Sequence, residues 1–558
     1  MDTYQVLSGM RNPLADHIRQ EAARLPDQLP PLTWSDFARF MATGDRQHYE
    51  DVYFSRRQTL ALQGAAWYLA PTAENAAALA ETLWQIGGEP TWALPAHIFK
   101  PGEQIRQNGD IAEFLDLFAC ETAQAVAQLL HDAGAHLPAI LVAFLQHELD
   151  RRIFTPFLDH DWHWLYLHNN WAAVCGGSVG MAALAALPAT APRRQAILAK
   201  VDIALQNFLQ GFGNDGTTEE GVSYWAYGFG YYVYFATAYQ AATGDARYLQ
   251  GAKIAAIAQF PFAASVYPDQ YVMFGDVPDR QTDIPSGLLS FCHQQWQAPL
   301  AAPVTFTGVD ENGRFAPLLH NLLWTDPAIQ PTPLPPVTHL PSVAWTIRRQ
   351  NGWCLTSKGG SNNVSHNHND VGTFEIIEPD QTIITELGSG LYTKQYFDDT
   401  TRYHILETRS LGHSVPFING CEQYYGDESM GRLTHTADFD RIEMTAVYPA
   451  KSHLTKLTRT FQVSPAGVTI TDDAAFNQPA NSFEEILILP HEPIIHGHTV
   501  QLGDWQLTTT LGGDFSVDTL ESFHHTGDRY HVYRLRIHYQ LGSDGVIVLH
   551  LLKQTGIE

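Results

Sequence analysis

Cysteine is scarce in this 558-residue chain, and so is positive charge. The five cysteines (Cys120, Cys175, Cys292, Cys354 and Cys421) are odd in number and widely scattered, with no Cys-x-x-Cys pair. That pattern argues against a disulfide framework and against a thiolate zinc site. Lysine and arginine number 33 against 59 aspartates and glutamates, a formal charge of −26. Such a field repels long polyanions, and no basic arm or arginine-rich helix offsets it, so nucleic acid is not an expected partner. A heavily sulfated polymer is disfavoured for the same reason, whereas short or weakly sulfated acidic saccharides are tolerated. No apolar run reaches the length of a membrane span, so no membrane partner is expected. Met1-Asp2-Thr3-Tyr4-Gln5 has neither the basic nor the apolar region of a secretory leader. With Met1 as the natural start, the expectation is a cytoplasmic protein.

What the chain does have is 45% hydrophobic and 11% aromatic residues, ordinary for a soluble enzyme. Its length exceeds one hydrophobic core and calls for at least two domains. Apolar residues recur at three-to-four spacing in residues 58–69, 73–86, 111–130, 137–153, 180–187, 194–212 and 222–242, which predicts a stacked array of helices. The proline-rich segment from Asp326 to Pro341 cannot continue a helix and marks a domain boundary. After it the period changes to two. Residues 343–348, 353–357, 373–377, 382–385, 442–448, 456–463, 468–472, 530–539 and 546–552 read as strands of a large antiparallel β-sandwich. The predicted domains are 1–330, helical, and 331–558, antiparallel β.

The most informative run is Ser365-His366-Asn367-His368-Asn369-Asp370, followed by Glu386-Leu387-Gly388 and by Ser410-Leu411-Gly412-His413. Read as a strand, it turns His366 and His368 to one face, offering one imidazole as a metal ligand and the other as an acid or base. Glu386 and His413 supply a carboxylate and a third imidazole. His368, Glu386 and His413 are then a three-donor set suited to a divalent metal, Zn2+ first, with a structural or site-organising role.

These elements resemble the central signature of the heparinase II/III-like polysaccharide lyases, in which a His-x-His strand precedes an acidic residue before glycine, then Arg-Tyr, then Ser-x-Gly-His. Here Arg402-Tyr403 and Ser410 to His413 fill the later positions. One departure is Glu386, where the family usually places Asp. The resemblance covers both halves, strongest from about 345 to 420, and implies a multidomain α+β fold: an incomplete α/α toroid, then an antiparallel β-sandwich.

Two earlier motifs are similar to the other half of that family's site. His168-Asn169-Asn170-Trp171 opens a helix, where amides and backbone N–H groups can receive a carboxylate. Capping by Asn169 is the simpler reading of the same motif. Glu219-Glu220-Gly221-Val222-Ser223-Tyr224 precedes an aromatic-rich helix, and the resemblance matches Tyr224 to the catalytic tyrosine and the Asn of the earlier motif to the substrate-carboxylate holder.

The implied chemistry is β-elimination on uronate-containing glycans of the glycosaminoglycan type, such as hyaluronan, chondroitin or heparosan oligosaccharides. It needs a neutraliser for the C5 carboxylate, a base for the C5 proton and an acid for the leaving oxygen. Asn170, Tyr224, His366 and Tyr403 are the candidate catalytic residues: Tyr224 as acid, His366 as base or neutraliser, Tyr403 as second base. Asn169, Trp171, Arg402 and Arg409 are candidates for holding the substrate. Alternatives are an alginate oligosaccharide lyase, a non-catalytic carbohydrate binder, and a glycoside hydrolase drawing on Asp215, Glu219 and Glu220, which would require two opposed carboxylates.

Overall fold

The computed structural model describes residues 7–99, 110–398 and 400–554. Met1–Gln5, read above for a leader, lie outside them. The chain divides into two compact units. The first comprises 1–212, 223–259 and 283–331. The second comprises 213–222, 260–282 and 332–558. The last crossing between units falls between Pro331 and Thr332, inside the proline-rich segment. Two short segments from before it, however, belong to the second unit, and both carry site residues.

The first unit is built of helical hairpins. Gln47–Leu69 pairs with Ala73–Gly87, Leu117–Ala133 with Ala139–Leu149, Asn170–Ala186 with Pro192–Gln210, and Ser286–Trp296 with Phe315–Trp324. Phe315–Trp324 also packs back on Gln47–Leu69, so the array curls on itself. Side-chain caps set several of the starts: Thr72 accepts from the Asn75 N–H, and Asp116 from the Ala119 N–H. Asp116 therefore delays the helix expected from Ile111 until Leu117, leaving a 3-10 turn over Ile111–Glu113. Phe315–Trp324 was not among the expected helices; its Pro317 sits in the first turn, where the missing N–H costs nothing. Asn170–Ala186 is buried almost all round between Leu117–Ala133 and Pro192–Gln210. Its glycines make that possible, since a Cβ at Gly177 would lie 2.8 Å from the Tyr231 carbonyl oxygen. Among the described residues no helix is long and apolar enough to cross a membrane.

In the second unit a nine-stranded sheet faces a layer made of a five-stranded and a four-stranded sheet, all with antiparallel neighbours. Trp353, Leu355, Phe374, Leu487 and Leu535 pack from one layer against Phe461, Ile470, Trp505, Leu507 and Leu549 of the other. Alternating burial along Gly467–Phe476 is the period-two signature that the sequence carries. The linker's own end is a strand, Val337–Leu340, at the edge of the five-stranded sheet. One expected strand is shorter: 442–448 becomes a strand over Asp440–Glu443 and a 3-10 turn over Thr445–Val447.

Candidate active site

The His-x-His run is a loop between the strands Gly360–Ser361 and Phe374–Ile377, so the expected strand is corrected. The loop is pinned from within. Asn362 donates to Gln423 Oε1 (3.0 Å) and Ser429 Oγ (3.2 Å), and its own Oδ1 accepts the Asp370 N–H (3.3 Å). His366 stands at φ +57°, a left-handed conformation that costs a non-glycine residue roughly 1 kcal/mol and persists only where its surroundings hold it.

That holding comes from Asp276, which the sequence reading did not single out. Its N–H donates to the His366 carbonyl at 3.2 Å. Its Oδ2 lies 2.9 Å from His366 Nδ1, and its Oδ1 lies 2.9 Å from His368 Nε2. Tyr396 Oη donates to Oδ1 at 2.5 Å, and Arg402 Nη2 reaches both oxygens at 3.1 Å. Burial alone would raise this carboxyl. The Arg402 charge and the imidazole hydrogen bonds outweigh it and hold Asp276 well below the usual carboxylate range. Arg402 is thus buried and spent on Asp276, Tyr396 O and Asn367 O, not presented to substrate. Arg409 is likewise paired with Glu422. Tyr403 donates to Asn367 Oδ1 at 2.9 Å and stacks on Tyr425 with ring centroids 5.1 Å apart. His366 keeps 15% of its side chain exposed, and its Nε2 lies 3.7 Å from Glu220 Oε1.

Behind the loop, His368, Asp370 and His413 bring one donor atom each to within 4.8 Å of one another, all buried. Among the described residues, His368 Nδ1, Asp370 Oδ2 and His413 Nε2 have no hydrogen-bond partner. Buried polar atoms are seldom left so, and two imidazoles with a carboxylate are a donor set that zinc takes. Two of the three expected ligands are in this group. Glu386 is not: its Oε2 accepts from His413 Nδ1 at 2.6 Å and its Oε1 from Thr373 Oγ1, so it orients His413 from behind. Asp370, two residues after His368, stands third in this group, steadied by Lys358 Nζ at 2.6 Å from one of its oxygens. Burial drives His368 down to about 4, which keeps its ring neutral as a ligand must be. Burial opposes the Asp370 charge, but Lys358 and His413 prevail and hold the carboxyl below its ordinary value. Gly412 is required here, since a Cβ would fall 1.8 Å from the Leu406 carbonyl oxygen. Ser410 ties the His413 segment to the loop through the Asn369 carbonyl, at 2.7 Å.

The first unit holds the asparagine motif. Asn169 is the N-cap of Asn170–Ala186, its side chain accepting the Trp171 N–H at 3.2 Å, and Asn170 is buried. Trp171 stays partly exposed, with the His97 ring edge-on at 4.9 Å. Asp116 fixes His97 through Nδ1 at 2.7 Å. His97 was missed because its place beside Trp171 is purely tertiary. Tyr224 lies in the first turn of the helix Gly221–Thr243. Of the aromatics after it, Tyr231, Tyr232 and Tyr234 are buried packing residues. Tyr227 donates to Glu121 beneath Arg314, whose guanidinium lies 3.9 Å from the ring centroid.

A family model described as heparinase II/III-like, C-terminal, matches residues 332–537. No curated protein sequence matches the chain. Among solved structures, heparinase III is similar over 100% of this chain and 89% of its own, with 13% identity and a TM-score of 0.66. A heparan sulfate lyase from Pedobacter heparinus is similar over 98% and 88%, with 12% identity and a TM-score of 0.58. A chondroitin AC lyase from Streptomyces coelicolor A3, solved in complex with chondroitin sulphate, is similar over 97% and 83%, with 10% identity and a TM-score of 0.53. The expected order of a helical toroid followed by an antiparallel sandwich is the fold these proteins share with this chain. Residues 332–537 thus form a heparinase II/III-like C-terminal region.

Proposed function

We propose that this protein is a polysaccharide lyase that cleaves uronate-containing oligosaccharides of the glycosaminoglycan type by β-elimination. The observation that carries the reading is His366, held in a strained conformation by a buried carboxylate, with 15% of its side chain exposed and its Nε2 3.7 Å from Glu220 Oε1. The family match and the similarity in fold to heparan sulfate and chondroitin lyases support it.

In this reading His366 takes the C5 proton of the uronate through Nε2. Asn170 and Asn169 neutralise the carboxylate as charge moves onto it, and Tyr224 protonates the departing C4 oxygen. The C5–H and C4–O bonds break, the electron pair forms the C4–C5 double bond, and no water is consumed. Tyr403 remains the second candidate base, and its stacking on Tyr425 gives a sugar ring a flat neighbour. Trp171, with His97 beside it, is the stacking residue of the first unit. Hydrolysis is less well supported, because the Asp215 carboxylate is spent on Thr217 and on the Ser342 N–H.

His368, Asp370 and His413 would hold a divalent metal, Zn2+ first, with Glu386 and Asp276 as the outer partners of the two imidazoles. When bound, such an ion supplies positive charge and ties the His366 loop to the His413 segment. Elimination asks for no metal-activated water, so its role is organising. The net charge of −26 favours short, weakly sulfated substrates. Five buried cysteines with no disulfide suit a reducing, cytoplasmic setting.

The test is an ultraviolet scan of the protein with hyaluronan, chondroitin, heparosan and alginate oligosaccharides. A rising conjugated-enoate absorbance with a glycosaminoglycan supports the proposal. A rise with alginate alone moves the substrate class, and new reducing ends without absorbance replace lyase by hydrolase.

A further inference from the structure

We propose that Asp276 sets the tautomers of both imidazoles in the His-x-His pair, and thereby assigns one to the metal cluster and the other to the substrate. The inference deepens, and rests on, the reading of His366 as base and His368 as ligand. Four side chains converge on this one buried carboxylate: Tyr396 Oη, Arg402 Nη2, His366 Nδ1 and His368 Nε2. A carboxylate ringed by an arginine and three further donors acts as an acceptor only. Each imidazole must therefore donate through the nitrogen it turns toward Asp276.

A neutral imidazole has a single N–H, so its opposite nitrogen carries the lone pair. The two histidines present opposite nitrogens to Asp276, and the consequences diverge. For His368 the lone pair is left on Nδ1, which has no hydrogen-bond partner among the described residues, on a side chain grouped with Asp370 and His413. For His366 it is left on Nε2, the atom 3.7 Å from Glu220 Oε1, on a side chain that is 15% exposed. The same residue fixes ring orientation as well. Its backbone N–H binds the His366 carbonyl, and Gly275 before it, at φ +76°, lets the chains approach: a Cβ there would lie 3.0 Å from that carbonyl oxygen. The strand-like geometry expected from sequence is thus replaced by a two-point clamp.

Asp276 is a positioning residue, and its own seat is firm. Val277 accepts the Ser389 N–H at 3.0 Å, and Arg280 pairs with Glu375, which also receives the Met273 N–H.

The deciding measurement is long-range proton–nitrogen NMR on the full chain with nitrogen-labelled histidine, at mildly alkaline pH and without added metal. His366→Gln and His368→Gln spectra assign the two signals. The expected result is an Nδ1–H ring for His366 and an Nε2–H ring for His368; the opposite tautomer at either residue overturns the proposal. In Asp276→Asn the amide offers a single acceptor oxygen, so one imidazole loses its partner. That variant should show a changed tautomer at one histidine and a roughly 10–100-fold weaker Zn2+ affinity by competition with a chelator. Wild-type tautomers together with wild-type Zn2+ affinity in a folded Asp276→Asn protein would also overturn it. Should the variant fail to fold, the wild-type spectrum decides alone. Neither readout requires turnover, so a chain that makes no enoate but shows these tautomers loses the lyase reading and keeps the Asp276 assignment.

Discussion

Replacing Arg459 by methionine tests how the sandwich interior holds the site in place. Arg459 is fully buried, and its guanidinium donates to Asp472 at 2.6 Å, Glu485 at 2.7 Å, and the carbonyls of Gly372 at 3.1 Å and Ser414 at 2.8 Å. Those carbonyls lie two residues after Asp370 and one after His413, so a single side chain fastens both ends of the candidate metal cluster. Methionine keeps the aliphatic stem but leaves two buried carboxyl groups without a cation and two carbonyls without a donor. Removing one partner of a buried ion pair costs about 3–5 kcal/mol. Each dry carbonyl adds about 1–3 kcal/mol. Burial and the neighbouring Asp472 already push the Glu485 carboxyl well up, so it can hold a proton and recover part of that loss. The expected net cost is about 4 kcal/mol. For a unit of this size that corresponds to a fall of roughly 8–16 °C in its thermal transition, read by calorimetry. Adding Asp472→Leu and Glu485→Leu to Arg459→Met should restore the ion-pair part of the loss, because an apolar trio needs no cation, and leave the cost of the two carbonyls. A single-variant cost below about 1 kcal/mol would refute the reasoning.

Tyr224→Phe should lower the elimination rate about 10²- to 10⁴-fold while oligosaccharide binding, followed by calorimetry, stays near wild type; an unchanged rate removes Tyr224 as the acid. Asp370→Asn should lose Zn2+ on dialysis, whereas Glu386→Gln, which only orients His413, should weaken it about 10–100-fold; the reverse order would restore Glu386 as the ligand. Burial raises the Glu219 carboxyl to about 7, partly offset by Lys358. Between the ordinary carboxylate range and that value the folded state holds a proton the unfolded state has lost. Stability should therefore fall as pH rises from about 4.5 to about 7, and flatten above. Denaturant titrations should show that slope reduced in Glu219→Gln, and an equal slope in both proteins contradicts the assignment.

The helices and strands were legible because burial imposes its period on the sequence, as in Gln47–Leu69 and Gly467–Phe476. Boundaries slipped where one polar side chain decides them, as Asp116 does for Leu117–Ala133. The site was legible in its residue types more than in its geometry. Spacing singled out His366 and His368, and the Ser-x-Gly-His run singled out His413, yet the strand that justified the pairing is a loop. Asp276 left no local trace: its partners lie 90 to 126 positions away, and a lone Asp after Gly275 has no periodic signature. Asp370 stood inside the quoted motif, and its i, i+2 spacing from His368 was the available signal. Glu386 and Asp370 differ in role because of what stands behind each oxygen, and only packing reveals that. Arg402 read as a substrate-holding residue for the same reason.

The most direct test of the account is the mass of the product formed in heavy-oxygen water from whichever glycosaminoglycan oligosaccharide the chain cleaves. Elimination predicts an unsaturated fragment lighter than its hydrolytic counterpart by one water and free of label, with the signal lost in His366→Ala. A saturated fragment carrying heavy oxygen at its new reducing end would contradict the account.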